Sequence, residues 1–328
     1  MRAWQISELG DPWEKLQLVE RPSPEPGPGQ MHVRVTAADL NFADILQCQG
    51  QYQVKLEPPF VPGMYCAGEI LATGPGVPDH FAVGSSIIGP TEAGQGGFAE
   101  EAVLSCAEAY LIPDGVDSVA ATAAHVTYGT AWFSLHRRGA LQPGESVLVL
   151  AAAGGVGSAA VELAKLHDCW VIAAAGGAEK AAACNALGAD EVIDYDGEDL
   201  HARVMALTDG HGVDVIYDPV GGKYFDVARR LVAWEGRLLV VGFASGGIPS
   251  APANHILVKN YSVVGVHMGG YRGRNAQPLA QCYDELHTLL AAEKISPLMD
   301  SVVEMPDLPD ALYRLAHRQS VGRIVMAP

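Results

Sequence analysis

The stretch Gly144–Gly157, GESVLVLAAAGGVG, constrains the fold more than any other part of the chain. Val147–Leu150 is an unbroken apolar run, long enough for a strand buried on both faces and too short for a helix. A glycine-rich turn follows. Beyond it Val156, Ala159, Ala160, Leu163 and Ala164 recur at helical spacing. A buried strand that turns through glycines into an amphipathic helix presents backbone N–H groups at the positive end of a helix dipole, where a phosphate is favourably held.

Set against the dinucleotide fingerprint G-x-G-x-x-G, the marked positions hold Ala152, Gly154 and Gly157, so the first glycine is missing. The other two let backbone approach a pyrophosphate and let the helix pack closely on the sheet. Taken alone, the same turn also suits a purely structural connection. The next strand, Trp170–Ala174, is where an acid normally ends the strand and reads the adenosine ribose. Here Ala175, Gly176, Gly177, Ala178, Glu179 and Lys180 follow instead. A small-residue loop followed by a lysine suits a 2′-phosphate, which an acid would repel, so NADPH is expected over NADH. The alternative is that Lys180 is a solvated helix residue, its charge partly offset by Glu179.

Residues 1–122 alternate short apolar runs (Met31–Val35, Cys66–Ala72, Ser85–Gly89, Ala99–Val103) with Pro and Gly, the pattern of a mostly antiparallel β domain, with a helical stretch near Asn41–Gln47. Residues 123–266 switch to alternating strands and helices, the pattern of a doubly wound parallel sheet of six strands ending at Ser262–Val266. Ligands of such sheets lie beyond the strands' C-terminal ends, so Ala151–Gly157, Asp218–Gly222 and Gly242–Gly246 are expected to share one crevice. The tail, 267–328, reads as two helices and a closing strand that returns to the first domain.

Charge narrows the partners. The chain carries 21 Lys and Arg against 38 Asp and Glu, a net charge of −17, which argues against nucleic acid and anionic membrane surfaces. No apolar run reaches the length of a membrane span, and the N-terminal residues lack a signal-peptide core, so a cytoplasmic protein is expected. The six cysteines are scattered without a C-x-x-C pair and read as reduced thiols.

Together LAAAGGVGSAAVELAK, EKAAACNALGAD, YDPVGG and GRLLVVGFASGGIP resemble the zinc-independent quinone oxidoreductases of the medium-chain dehydrogenase/reductase superfamily. NFAD, GGFAEEAV, VTYGTAW and VGRIVM extend the resemblance over most of the chain. It implies an α/β fold: a GroES-like β-rich catalytic domain built from 1–122 and 267–328, and a Rossmann domain at 123–266, with NADPH in the cleft. It also implies that Gly154, Gly155, Val156 and Gly157 line the pyrophosphate and that Gly177, Lys180, Tyr195 and Arg318 surround the 2′-phosphate. Family members often place serine or threonine where Gly177 stands. Asn41, Thr127, Phe243 and Ser245 match positions near the nicotinamide, and Tyr52 matches a substrate-pocket tyrosine of some members, with loop packing as its alternative.

Zinc relatives carry a catalytic cysteine, a Gly-His-Glu and a four-cysteine lobe; here the matching stretches read ADLNFAD and PGMYCAG and the lobe is missing, so no metal is expected. His125 reads as a structural histidine. Without a cation, reduction of a conjugated quinone or α,β-unsaturated carbonyl, which spreads its charge, is favoured over a simple ketone. The rival readings are an enoyl or acryloyl thioester reductase, with Arg272 and Arg274 as the only local basic cluster, and a non-catalytic NADPH-binding sensor. The edge position expected for Ser262–Val266, with the resemblance, implies a homodimer.

Overall fold

Val147–Leu150 forms the body of the strand Ser146–Leu150, whose last four residues are buried. It sits inside a six-stranded parallel sheet, and the order along that sheet is Glu191–Asp194, Trp170–Ala175, Ser146–Leu150, Val213–Asp218, Val232–Val240 and Ser262–Gly265. All five pairings are parallel. Helix-covered parallel strands are buried on both faces, which is why the central runs Val147–Leu150 and Val171–Ala175 are apolar and do not alternate. Leu148, Leu150, Ile172, Ile216, Leu238 and Phe225 meet in one core, each side chain worth about 1.5–3 kcal/mol of burial. Pairing is pinned at one end by Asp214, whose carboxylate accepts from both the Ser146 backbone N–H (2.8 Å) and its hydroxyl (2.6 Å).

The computed structural model describes residues 1–328, and they divide into two units. Val126–Leu286 forms the unit just described, and Met1–His125 with His287–Pro328 forms the other. The boundary after the parallel sheet thus falls at Leu286, beyond the Val266 suggested by the end of the last strand; residues 267–286 include most of the helix Gln277–Ala291. The strand order reverses between Ser146–Leu150 and Val213–Asp218, which places the switch point at the turns Ala151–Gly157 and Asp218–Gly222.

The strand Val232–Val240, which contains Trp234, is longer than its pattern suggests. Val232–Val240 pairs Val213 with Val232 and then Val215 with Arg237, a register shift that inserts extra residues on one side. Polar Glu235 and Gly236 disguise the continuation.

In the other unit, seven strands form a second sheet, antiparallel except where Met299–Glu304 runs beside Arg323–Ala327. The closing strand pairs Val325 with Asp39 and Met326 with Ala38, so the chain's last strand lies against Gln30–Asp39. An unanticipated hairpin, Arg2–Ile6 with Leu16–Glu20, and the strand Met299–Glu304 both carry polar residues on exposed faces, which hides their period. The helix Ser118–Trp132 continues into a π-helical turn, Phe133–Arg138.

Candidate functional site

The turn after Ser146–Leu150 is made by backbone alone. Gly154 caps the helix Gly155–Leu166 with no side-chain hydrogen bond, and its N–H closes on the Ala151 carbonyl at 2.9 Å. The first N–H groups of a helix have no acceptor within it, so those of Gly155, Val156 and Gly157 are available to an anion. Gly157 is a steric requirement: a Cβ there would stand 2.2 Å from the Ala151 carbonyl oxygen. At Gly154 the same atom would be 3.3 Å from that oxygen, with nothing else near. The absent first glycine is also explained. Ala152 is fully buried, and the left-handed residue of the turn is Ala151, at φ 50°, at a cost of about 1–2 kcal/mol for a residue with a Cβ.

Gly177 precedes the helix Ala178–Ala186 at φ 91° and ψ 151°, a conformation that favours glycine over any residue with a side chain. Lys180 lies half-buried in the first turn of that helix. Tyr195 follows the neighbouring strand, its N–H on the Ala175 carbonyl (3.1 Å) and its ring 5.1 Å from that of Tyr224. One expectation needs correction: the loop is uncharged along the chain but not in space. Asp194 pairs with Ala175 across the sheet, and its Oδ1 accepts from Gly177 N–H at 2.8 Å and from Asp196 N–H at 3.1 Å. Sheet order brings these acids in, and no local pattern announced them.

The other two switch-point loops are bonded together. Ala244 and Ser245 donate to the Pro219 and Val220 carbonyls, and Gly222 donates to Gly247, at 3.0–3.1 Å. Asp218, buried, accepts from Val220 and Gly221 N–H at 2.8 and 2.9 Å; burial holds its carboxyl above the usual range, against the pull of those bonds. Phe243 occupies the space beside Gly221 and remains 39% exposed, while the Ser245 hydroxyl faces Gly222. Thr127 is fully buried, and the adjacent Tyr128 donates its phenol to Glu162 on the turn's own helix. Burial and then the Glu162 charge push that phenol up.

In the other unit, Asn41 begins the helix Phe42–Cys48 inside a buried polar cluster that its motif only partly reveals. Asn41 Nδ2 donates to Asp39 Oδ2 (3.0 Å), and Arg323 Nη2 donates to Asn41 Oδ1 (3.1 Å) while pairing with Asp39. A donor-only guanidinium on one side and an acceptor-only carboxylate on the other dictate which way the amide points. Asp44 accepts the Asn41 and Met64 N–H groups at 2.8 and 2.9 Å, and burial raises its carboxyl to about 6. Tyr52, half-buried, follows the helix with its N–H on Leu46. Arg318 is exposed, left-handed at φ 59°, just past the helix Leu308–Ala316. The thirteen candidate residues therefore divide: Asn41, Tyr52 and Arg318 belong to this unit and the rest to the parallel-sheet unit.

No three His, Cys, Asp or Glu side chains converge as a metal site would require. Cys66 is buried, its thiol pushed up to about 12 by desolvation. His125 is buried with its ring 5.6 Å from that of Tyr65 and 6.0 Å from that of Tyr110, a packing role.

Two family models match: an alcohol dehydrogenase GroES-like domain over residues 27–114 and a zinc-binding dehydrogenase over 155–285. A quinone oxidoreductase-like protein 2 homolog of Nematostella vectensis is 38% identical over 99% of this chain and 88% of its own length. The human synaptic vesicle membrane protein VAT-1 homolog is 32% identical over 96% of this chain and 84% of its own. The Escherichia coli quinone oxidoreductase complexed with NADPH superposes with a TM-score of 0.90 at 26% identity, covering 100% of both chains. Motifs, sheet order and these likenesses agree: the chain belongs to the zinc-independent quinone oxidoreductase family of the medium-chain dehydrogenase/reductase superfamily.

Proposed function

We propose that this protein transfers a hydride from NADPH to a quinone or an α,β-unsaturated carbonyl without a metal ion. The observation that carries the reading is the uncapped helix start at Gly154–Gly157, at the sheet's switch point, with backbone clearance that only glycine permits at 157. Unsatisfied N–H groups at a helix start suit the charge of a pyrophosphate. The NADPH complex of the similar E. coli enzyme supports the choice of nucleotide. When bound, NADPH supplies the hydride.

The chain's own residues bind, orient and stabilise. Gly155, Val156 and Gly157 hold the pyrophosphate through N–H groups, and Lys180 and Tyr195 bind the 2′-phosphate beside Gly177; the family resemblance adds Arg318 to that set. Thr127, Phe243 and Ser245 position the nicotinamide. Asn41 and Tyr52 hold the acceptor, whose oxygen gains charge as hydride arrives at a conjugated position. The Asn41 amide is locked by Asp39 and Arg323, so it meets the acceptor already oriented. Delocalised charge in an enolate or hydroquinone needs only such neutral donors, and solvent delivers the proton.

An acyl thioester carrying a phosphorylated carrier would call for spare cations. Arg274 is spent locally, donating to the Gly270 carbonyl at 3.0 Å. NADPH oxidation should be followed with a quinone, an enone and an acyl thioester, before and after dialysis against a strong chelator. Turnover of the first two, unchanged by chelation, is the expected result. Preference for the thioester, loss restored by zinc, or no turnover with any acceptor would each replace this reading, the last with a nucleotide sensor.

We further propose a cytoplasmic homodimer. Ser262–Gly265 is paired on one side only, and Trp234, Leu257 and Val258 are at least 68% exposed in the same unit. A monomer in sedimentation at micromolar concentration would count against it.

A further inference from the structure

The end of the second parallel strand lacks the acid that reads a free ribose, yet a carboxylate reaches that place from elsewhere. A Cβ built on Gly176 would stand 2.6 Å from Asp196 Oδ2 and 3.1 Å from its Cγ, so the Asp196 side chain fills the space that a side chain at 176 would take. The placement is enforced. Asp196 N–H is tied to Asp194 Oδ1 (3.1 Å), the same oxygen accepts Gly177 N–H (2.8 Å), and Tyr195 N–H is tied to Ala175. Glu198, the next acid, is paired with Arg203 at 2.9 Å. The Asp196 carboxylate is exposed and enters no ion pair or hydrogen bond of the structure.

We infer that Asp196 is a specificity-determining residue that substitutes for the missing ribose acid, accepting hydrogen bonds from a free 2′-hydroxyl, so that the protein takes NADH as well as NADPH. Asp196, after the strand Glu191–Asp194, and Lys180, in the helix Ala178–Ala186, then act in opposition at one site. The carboxylate favours the hydroxylated nucleotide and repels a 2′-phosphate, and the lysine does the reverse. This rests on the reading that the loop after Trp170–Ala175 holds the adenosine ribose.

The test is fluorescence titration of the full-length protein with NADPH and with NADH, for the wild type, Asp196→Asn and Asp196→Glu. Asp196 is exposed, so the variants keep the fold, and thermal melts confirm it. The wild type should bind NADH within about 10-fold of NADPH. Asp196→Asn should shift the affinity ratio toward NADPH by about 10-fold, the lower end of the range for a hydrogen bond to a charged group because the site is solvated. Asp196→Glu should restore most of the wild-type ratio. A ratio unmoved by Asp196→Asn, or a wild type that binds NADPH and rejects NADH, overturns the inference while leaving the nucleotide site intact. Absence of binding to either nucleotide overturns the site and the inference together.

Discussion

Two glycines three positions apart should differ in how much the same methyl group costs in stability. In Gly157→Ala the new Cβ would meet the Ala151 carbonyl oxygen at 2.2 Å and the Ala152 Cα at 2.9 Å. Both are backbone atoms, so the helix Gly155–Leu166 must move by about 1 Å to restore ordinary contact. Overpacking of this kind costs about 3 kcal/mol at the upper end, and the better helix propensity of alanine returns about 1 kcal/mol. The net is a loss of about 2 kcal/mol, or about 4–8 °C in melting temperature for a unit of this size. NADPH binding should weaken as well, because the moved N–H groups are those proposed to hold the pyrophosphate. In Gly154→Ala the nearest atom is 3.3 Å away and the backbone, φ −86° and ψ 171°, suits any residue. Its melting temperature should stay within about 2 °C, as expected for a substitution away from packed features. Its NADPH affinity should nevertheless fall, since a side chain on the residue that caps the helix hinders close approach of backbone and pyrophosphate. Thermal melts and fluorescence titration of both variants measure these effects. A Gly157→Ala protein as stable as the wild type, or more so, would show that helix propensity outweighs the contact and would refute the steric argument.

Lys180→Ala should weaken NADPH by about 10- to 100-fold, equivalent to about 1.5–3 kcal/mol for a charged hydrogen bond, and should barely change NADH; titration showing equal loss for both would remove Lys180 from the 2′-phosphate site. The pH dependence of stability should carry a signature of Asp44. Its folded carboxyl, raised by burial to about 6 from 3.8, holds its proton more tightly than in the unfolded chain. Stability is therefore lost as pH rises through this window and levels off above it, by about 2 kcal/mol between pH 4.5 and 6.5. Asp44→Asn should flatten that slope relative to wild type in urea titrations, and identical slopes would mean Asp44 does not titrate there.

The fold was legible wherever burial is two-sided or strictly periodic. Ser146–Leu150, Trp170–Ala175 and the helix Leu308–Ala316 follow directly from apolar runs and helical spacing. In Arg2–Ile6 the adjacent residues Ala3 and Trp4 are both buried and in Met299–Glu304 none is fully buried, so neither strand shows strict alternation. The site divides in the same way. Gly154 and Gly157 lie in one local motif whose chemistry depends on adjacent residues. Asn41 and Arg323 are 282 positions apart, and their meeting depends on the closing strand pairing beside Asp39. Asp194 and Asp196 reach the loop at Gly176 and Gly177 only because two parallel strands are neighbours. The capping arrangement in NFAD, where Asp44 accepts the Asn41 N–H three residues back, is the one part of the buried cluster with a local signal.

The central claim, metal-free delivery of hydride to a conjugated acceptor, is tested most directly by isotope transfer. The chelator-treated protein is incubated with an α,β-unsaturated carbonyl and NADPH carrying deuterium at the transferable nicotinamide position, and the product is analysed by mass spectrometry and NMR. One deuterium at the β-carbon of the saturated product is the expected result. A product without label at that carbon, or label transfer that appears only when zinc is restored, would contradict the account.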